Sequence, residues 1–325
     1  MKVQSKCEVR ARCTSSNIAA GKNVQSKLTV GTIYTDHRKG LLFAGIGGLA
    51  FTLDVPLIRL AGSDEWTVMF VRGIMIFLVL FAHWAWTRRY RGNVQPFVNG
   101  SEGLVASLLF VVANFMFMFA VHNTYAANVV FMMAMNPLFA AILSWVFLAE
   151  KIEKPTWIAA GLAMSGVVII VFDGIQQGNW LGDAAAFGVS FLLACSLIWM
   201  RRSGKDMTYA PGFGSLMAAM LAWGMAKPLS LDFEQFTYLG MNGLLFMPLS
   251  FALIAMATRY IRAPEIALFL FLDTILTPVW MWLLMSEMPT ERAILGGAIV
   301  TVALVGHTMW RLKFSPRLPR RQALK

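Results

Sequence analysis

Residues 136–150 read NPLFAAILSWVFLAE, and residues 273–287 read DTILTPVWMWLLMSE. In each, a polar residue stands fourteen positions before a glutamate, and the stretch between is almost wholly apolar. A helix rises about 1.5 Å per residue, so fourteen residues cover roughly 21 Å. If Glu150 and Glu287 mark the rims of a bilayer, Asn136 and Asp273 therefore lie near its midplane. Gly161 and Gly166 follow the first stretch within a second apolar run, and Gly296 and Gly297 follow the second. Two such elements crossing in opposite directions are how many carriers build a central site.

Composition agrees with a membrane reading. The chain has 325 residues, 58% of them hydrophobic and only 14% charged, with a mean hydropathy of +0.62. Soluble domains run nearer ~45–50% apolar and ~25% charged. The apolar residues also fall in blocks of about twenty, the length a helix needs to cross roughly 30 Å of hydrocarbon. Ten spans can be read: 40–62, 66–86, 104–121, 124–148, 156–172, 184–200, 210–229, 238–258, 263–285 and 292–310. Spans five and six are the shortest of these. Thr290-Glu291 reads as a helix cap followed by an acid in the first turn. No alternation of apolar and polar residues supports a β-barrel.

The loops alternate between basic and nearly base-free. Arg88, Arg89 and Arg91, then Lys151 and Lys154, then Arg201, Arg202 and Lys205, then Arg259 and Arg262 all fall on one side, together with both tails. Among 28 Lys and Arg, the exceptions are Lys227 and Arg292 opposite, and Arg59 and Arg72 inside spans. By the positive-inside rule both termini are expected in the cytoplasm, with the chain in the cell (inner) membrane. Glu150 then faces the cytoplasmic rim and Glu287 the outer one, so the repeat is inverted.

A net charge of +11 and a pI near 9.9 raise the question of nucleic acid. The excess lies in residues 1–39 and 311–325, however, and basic tails beside a bilayer meet anionic headgroups instead. No nucleic-acid partner is expected; the lipid bilayer is. Residues 1–39 read as a disordered cytoplasmic tail, with a transit peptide or a misplaced start as open alternatives. Cys7, Cys13 and Cys195 form neither a disulfide framework nor a metal cluster. Nucleophile elbows, zinc motifs and a phosphate-binding loop are missing from the sequence, so neither an enzyme nor a cofactor is expected.

Ionisable groups inside a bilayer are expensive and usually functional. Asp54 and Arg72 come out at matching depth on consecutive antiparallel spans, the geometry of an ion pair. That pair either fixes helix register or touches substrate. Pro56 should bend the first span and free backbone carbonyls. Arg59 reads as a rim residue that snorkels. Asp273 has no base in its own span and suits proton coupling or recognition of a cation. Asn136 either binds substrate or satisfies backbone freed by Pro137. Asn128 reads as a helix–helix hydrogen bond, and the Gly161/Ser165 and Gly297/Thr301 spacings as close packing, with a homodimer contact in view.

The run AANVVFMMAMNPLFAAILSWVFLAEKIEKPTWIAAGLAMSGVVIIV (126–171) resembles the closing part of an EamA-type domain of the drug/metabolite transporter superfamily. The run APEIALFLFLDTILTPVWMWLLMSEMPTERAILGGAIV (263–300) is similar to the same element in a second domain, and FVRG at Arg72 fits the family's second helix. The resemblance implies two inverted five-helix repeats, 40–172 and 182–310, that move small metabolites such as amino acids, export being the expected direction. Asp273 and Asn136 are expected at the pocket floor and Asp54 and Arg72 toward the outer gate. Pro56, Pro137, Pro278, Glu150 and Glu287 are expected as gate or structural residues. Thr274 stands where the proline of the first element would fall, with Pro278 four residues later, so the two halves should bend at different heights. A non-transporting membrane scaffold, signalling partner or lipid-interacting component stays open beside the carrier.

Overall fold

The structure, a computed structural model, describes residues 37–91, 96–148, 154–203, 209–257, 260, 261 and 263–314. Glu150, Arg259, Arg262 and most of both basic tails lie outside these residues. The described residues are helical throughout, apart from turns and short connections. They run α1 (37–51), α2 (Asp54–Ala61), α3 (Glu65–Arg91), α4 (Gly100–Asn123), α5 (Ala126–Met133), α6 (Asn136–Leu148) and α7 (Lys154–Gln177). Next come α8 (Trp180–Ser203), α9 (Ala210–Ala222), α10 (Phe233–Gly240), α11 (Met247–Ala257), α12 (Ala263–Met285) and α13 (Glu291–Phe314).

Local chemistry sets the ends. Asp64 accepts the Thr67 N–H at 3.0 Å to start α3, and Thr290 accepts the Ala293 N–H at 3.1 Å to start α13. Asp232 and Gln235 form a capping box at α10. Gly62 and Gly178, both with positive φ, close α2 and α7.

Nine helices among the described residues are long and apolar enough to cross a membrane, α1–α2, α5–α6 and α10–α11 each counting as one. The seventh expected span, 210–229, is shorter: α9 has thirteen residues and gives way to a turn at 223–225 ahead of Pro228. Spans five and six, read as the shortest, are full-length helices of 24 residues each. The sequence reading cut them at Asp173 and Asp183, yet both acids are buried inside the bundle, where hydroxyl and amide donors meet them.

Three spans break, each ahead of a proline. The α1–α2 span turns at 52–53 before Pro56, and α5–α6 turns at 134–135 before Pro137. The α10–α11 span widens into a π-helical segment, Met241–Phe246, before Pro248. A proline lacks the N–H that would bond the carbonyl four residues back and crowds that carbonyl. By contrast, α12 runs unbroken through Pro278, so only the first of the two similar stretches breaks, where bends at different heights were expected in both.

Packing places the breaks in the interior. The main apolar core gathers Ile58, Val68, Met118, Met132, Leu138, Ile170 and Leu304, from α2, α3, α4, α5, α6, α7 and α13. The most extensive contacts join α4 to α8, α7 to α13 and α3 to α9. At Gly166 and Gly296 the backbones of α7 and α13 nearly touch, since a Cβ on either would come 2.5 or 2.6 Å from the other's carbonyl oxygen. Gly161, by contrast, faces open space and takes no part in this contact. Leu108, Val146, Val168, Leu283 and Val302 point outward and are exposed, as a lipid-facing surface requires.

Candidate functional site

The break in the first span and the π-helical segment meet at Arg72. Its Nη2 donates to both carboxylate oxygens of Asp54, at 2.8 and 3.0 Å, and its Nε donates to Asn242 Oδ1 at 2.8 Å. The Asn242 amide in turn donates to Asp54 Oδ1 at 2.8 Å and to the Asp54 carbonyl at 3.1 Å. The Phe117 ring lies 5.6 Å from the guanidinium carbon. All three polar side chains are buried. The ion pair expected from matched depth is therefore one side of a closed triad. Asn242 went unread, although an asparagine in the apolar run YLGMNGLLFMPLS, followed by Gly and Pro, is the signal that could have found it.

Asp273 sits beside the same break. It accepts from Thr277 Oγ1 at 2.6 Å, and that hydroxyl also lies 3.1 Å from the Thr52 carbonyl. Thr52 O is the acceptor that the missing N–H of Pro56 leaves open. Trp280 Nε1 completes the joint, donating to Thr52 Oγ1 at 3.1 Å. Asp54 is within electrostatic reach of Asp273, so the carboxylate that has no base in its own span has an acidic neighbour on another and a hydroxyl partner one turn on.

Asn136 occupies other surroundings. It opens α6, donates to the Ser190 carbonyl at 3.2 Å, and borders a largely apolar cavity of about 240 Å³ with Phe110, Leu193, Ser196 and Met200. Ser190 Oγ donates to Met133 O at 3.3 Å, the acceptor freed by Pro137. The structure thus brings Asp54, Arg72 and Asp273 to one junction. It sets Asn136 against α8, where no hydrogen bond among the described residues joins it to Asp273.

A second polar assembly lies at the end of the bundle that carries Glu287. Thr124 and Asn128 donate to Asp183 Oδ1 at 2.5 and 3.0 Å, while Asp183 Oδ2 and Asn128 Oδ1 find no partner among the described residues. Thr290 and Gln177 bond Asp173. Arg59, read as a snorkelling rim residue, donates to the Thr124 carbonyl, and its Nε is buried without a partner among the described residues. Glu287 follows Ser286, whose φ of 54° lies in the left-handed region, and its Oε1 accepts the Ala126 N–H at 2.7 Å, capping α5. Arg59 and Glu287 both line a polar cavity of about 470 Å³ with His122, Asn123, Tyr125 and Asn179.

Residues 38–172 match the EamA-like transporter family. This stretch, five of the membrane helices, is an EamA-type domain of the drug/metabolite transporter superfamily. The chain is 26% identical over 191 residues to the uncharacterized transporter YdfC of Bacillus subtilis, covering 53% of this chain and 58% of that protein. It is 25% identical to Protein RarD of Streptomyces exfoliatus over 47% of this chain and 49% of that one. To the uncharacterized transporter PA0485 of Pseudomonas aeruginosa it is 31% identical, over 45% of each. The chain thus spans about half the length of the curated relatives it matches. A solved crystal structure shares the fold with a TM-score of 0.61 at 12% identity, over 85% of this chain and 98% of that one.

Proposed function

We propose that this EamA-type protein is a secondary carrier of the inner membrane that exports a small metabolite, an amino acid or a related compound, by alternating access. The observation that carries this reading is the junction of a broken span and a π-helical segment at Asp54, Arg72 and Asn242. Irregular backbone at membrane depth persists where it is buried in protein or lines a pathway, and π segments concentrate at functional positions. The pairing of α3 with α9 and of α7 with α13 supports two five-helix repeats, with α9 as the seventh of ten crossings. The alternation of basic loops supports cytoplasmic termini. Asp273, beside the junction, is the residue we assign to proton coupling.

The test is reconstitution. Proteoliposomes loaded with a cell metabolite extract should release one class of compound faster than protein-free vesicles, and an imposed proton gradient should change that rate. Asp273→Asn should abolish the gradient's effect while the protein elutes as a monodisperse peak. Unchanged coupling in that variant removes Asp273 from the mechanism. No release of any compound removes the carrier reading and leaves a non-transporting membrane component.

A further inference from the structure

The cavity lined by Arg59 and Glu287 shares no lining residue with the Asp54–Arg72–Asn242 junction. Its walls hold one guanidinium and one carboxylate, each engaged with backbone of the α4–α5 joint: Arg59 with the Thr124 carbonyl, Glu287 with the Ala126 N–H. These two anchoring points are separated by only two residues of chain, so they lie within roughly 7 Å of each other. A volume of about 470 Å³ falls within the ~300–1,000 Å³ of small-molecule pockets. The His122 ring lies between two carbonyls along one wall, Nδ1 2.8 Å from Met118 O and Nε2 3.1 Å from Ser63 O.

We propose that this cavity is a recognition site for a zwitterion: an anionic group on Arg59 and an ammonium on Glu287. Both groups are already desolvated in part, so a ligand charge makes a hydrogen bond in which both partners are ionised, in exchange for one to neutral backbone. Binding loosens both holds on the α4–α5 joint together, which links occupancy to movement of α5, the first half of a broken span. A free amino acid and the headgroup of phosphatidylethanolamine both carry this chemistry. The proposal extends the carrier reading but does not need transport to be observed.

Asn123 is exposed and borders the cavity, so Asn123→Cys in a background with Cys7, Cys13 and Cys195 replaced by Ser reports occupancy through maleimide labelling. The purified protein is placed in phosphatidylglycerol nanodiscs and challenged with leucine, with isopentylamine, which lacks the carboxylate, and with 4-methylpentanoate, which lacks the ammonium. A parallel sample is placed in phosphatidylethanolamine nanodiscs without solute. Protection by leucine alone supports a free solute, and protection in phosphatidylethanolamine supports the headgroup. In either case Arg59→Gln and Glu287→Gln should each weaken protection about tenfold or more. Protection in neither arm, or equal protection by the single-charge compounds, overturns the proposal, and the wild-type ligand panel decides this even where a variant fails to fold. Metabolite release from proteoliposomes, measured separately, shows whether the carrier reading stands when this site does not.

Discussion

Arg72 satisfies two side chains with one guanidinium, and the energy of that arrangement lies in its completeness. Removing one member of a buried pair leaves an uncompensated charge, at a cost of about 3–5 kcal/mol. Arg72→Met should therefore lower the thermal unfolding midpoint in detergent strongly, because it strands the Asp54 carboxylate. The double variant Asp54→Asn with Arg72→Met should recover part of that loss. Strictly additive losses would mean that the two residues do not act as a pair. Asn242→Ala should fall between, since it removes a neutral partner of both. Asp54 and Arg72 were legible from depth arithmetic alone. Asn242 stands out in its apolar run, but its pairing with Arg72 was not legible, because it arrives from a helix 170 residues away in the chain, and one sequence offers no signal of which distant span closes a pair.

At the scale of elements, proline and a distant hydroxyl form a unit. Pro56 deprives the Thr52 carbonyl of its helical donor, and Thr277 of α12 lies within reach of it; Pro137 deprives Met133, and Ser190 of α8 supplies the replacement. Loss of such a donor leaves a buried acceptor unpaired, worth about 1–3 kcal/mol. Thr277→Val should thus be destabilising by about that amount, while Thr277→Ser should keep most of the stability. Adding Pro56→Ala to Thr277→Val should restore part of the loss, since an alanine there has the N–H that the Thr52 carbonyl needs. Chemical unfolding followed by tryptophan fluorescence checks all three, and no rescue by Pro56→Ala would break the link between Pro56 and the Thr52 carbonyl. The prolines predicted where the chain bends. Pro278 shows the limit of that rule, because α12 absorbs it without a break.

Across the whole molecule, the backbone approach at Gly166 and Gly296 ties together parts of the chain that lie far apart in sequence. Gly166→Ala or Gly296→Ala puts a methyl about 2.5 Å from carbonyl oxygen, which forces α7 and α13 apart at a cost of about 1–3 kcal/mol. Gly161→Ala has open space before it and gains helix propensity of about 0.5–1 kcal/mol. Parallel thermal melts should therefore order the variants Gly161→Ala at or above wild type and the other two below it. Equal midpoints for all three would mean that the helices are not held in this close approach. The sequence spacing named Gly161 with Ser165, and Gly297 with Thr301, as contact pairs. A spacing marks a face of small residues, but which turn of that face meets a partner depends on where the partner helix crosses.

Sequence by itself determined that this chain is a polytopic helical membrane protein, because blocks of about twenty apolar residues have few other stable states. It also determined where the backbone is weakest, since proline acts on its own preceding turn, and it carried the family resemblance over residues 126–171. Apart from the Asp54–Arg72 pair, only the tertiary structure decided which polar groups meet. Asp173 and Asp183 read as loop residues until hydroxyl and amide partners from other helices covered them. Arg59 and Glu287 read as separate rim residues until the α4–α5 joint brought both to one cavity. Apolar burial is a property of each segment, whereas the pairing of polar groups depends on partners far away in the chain.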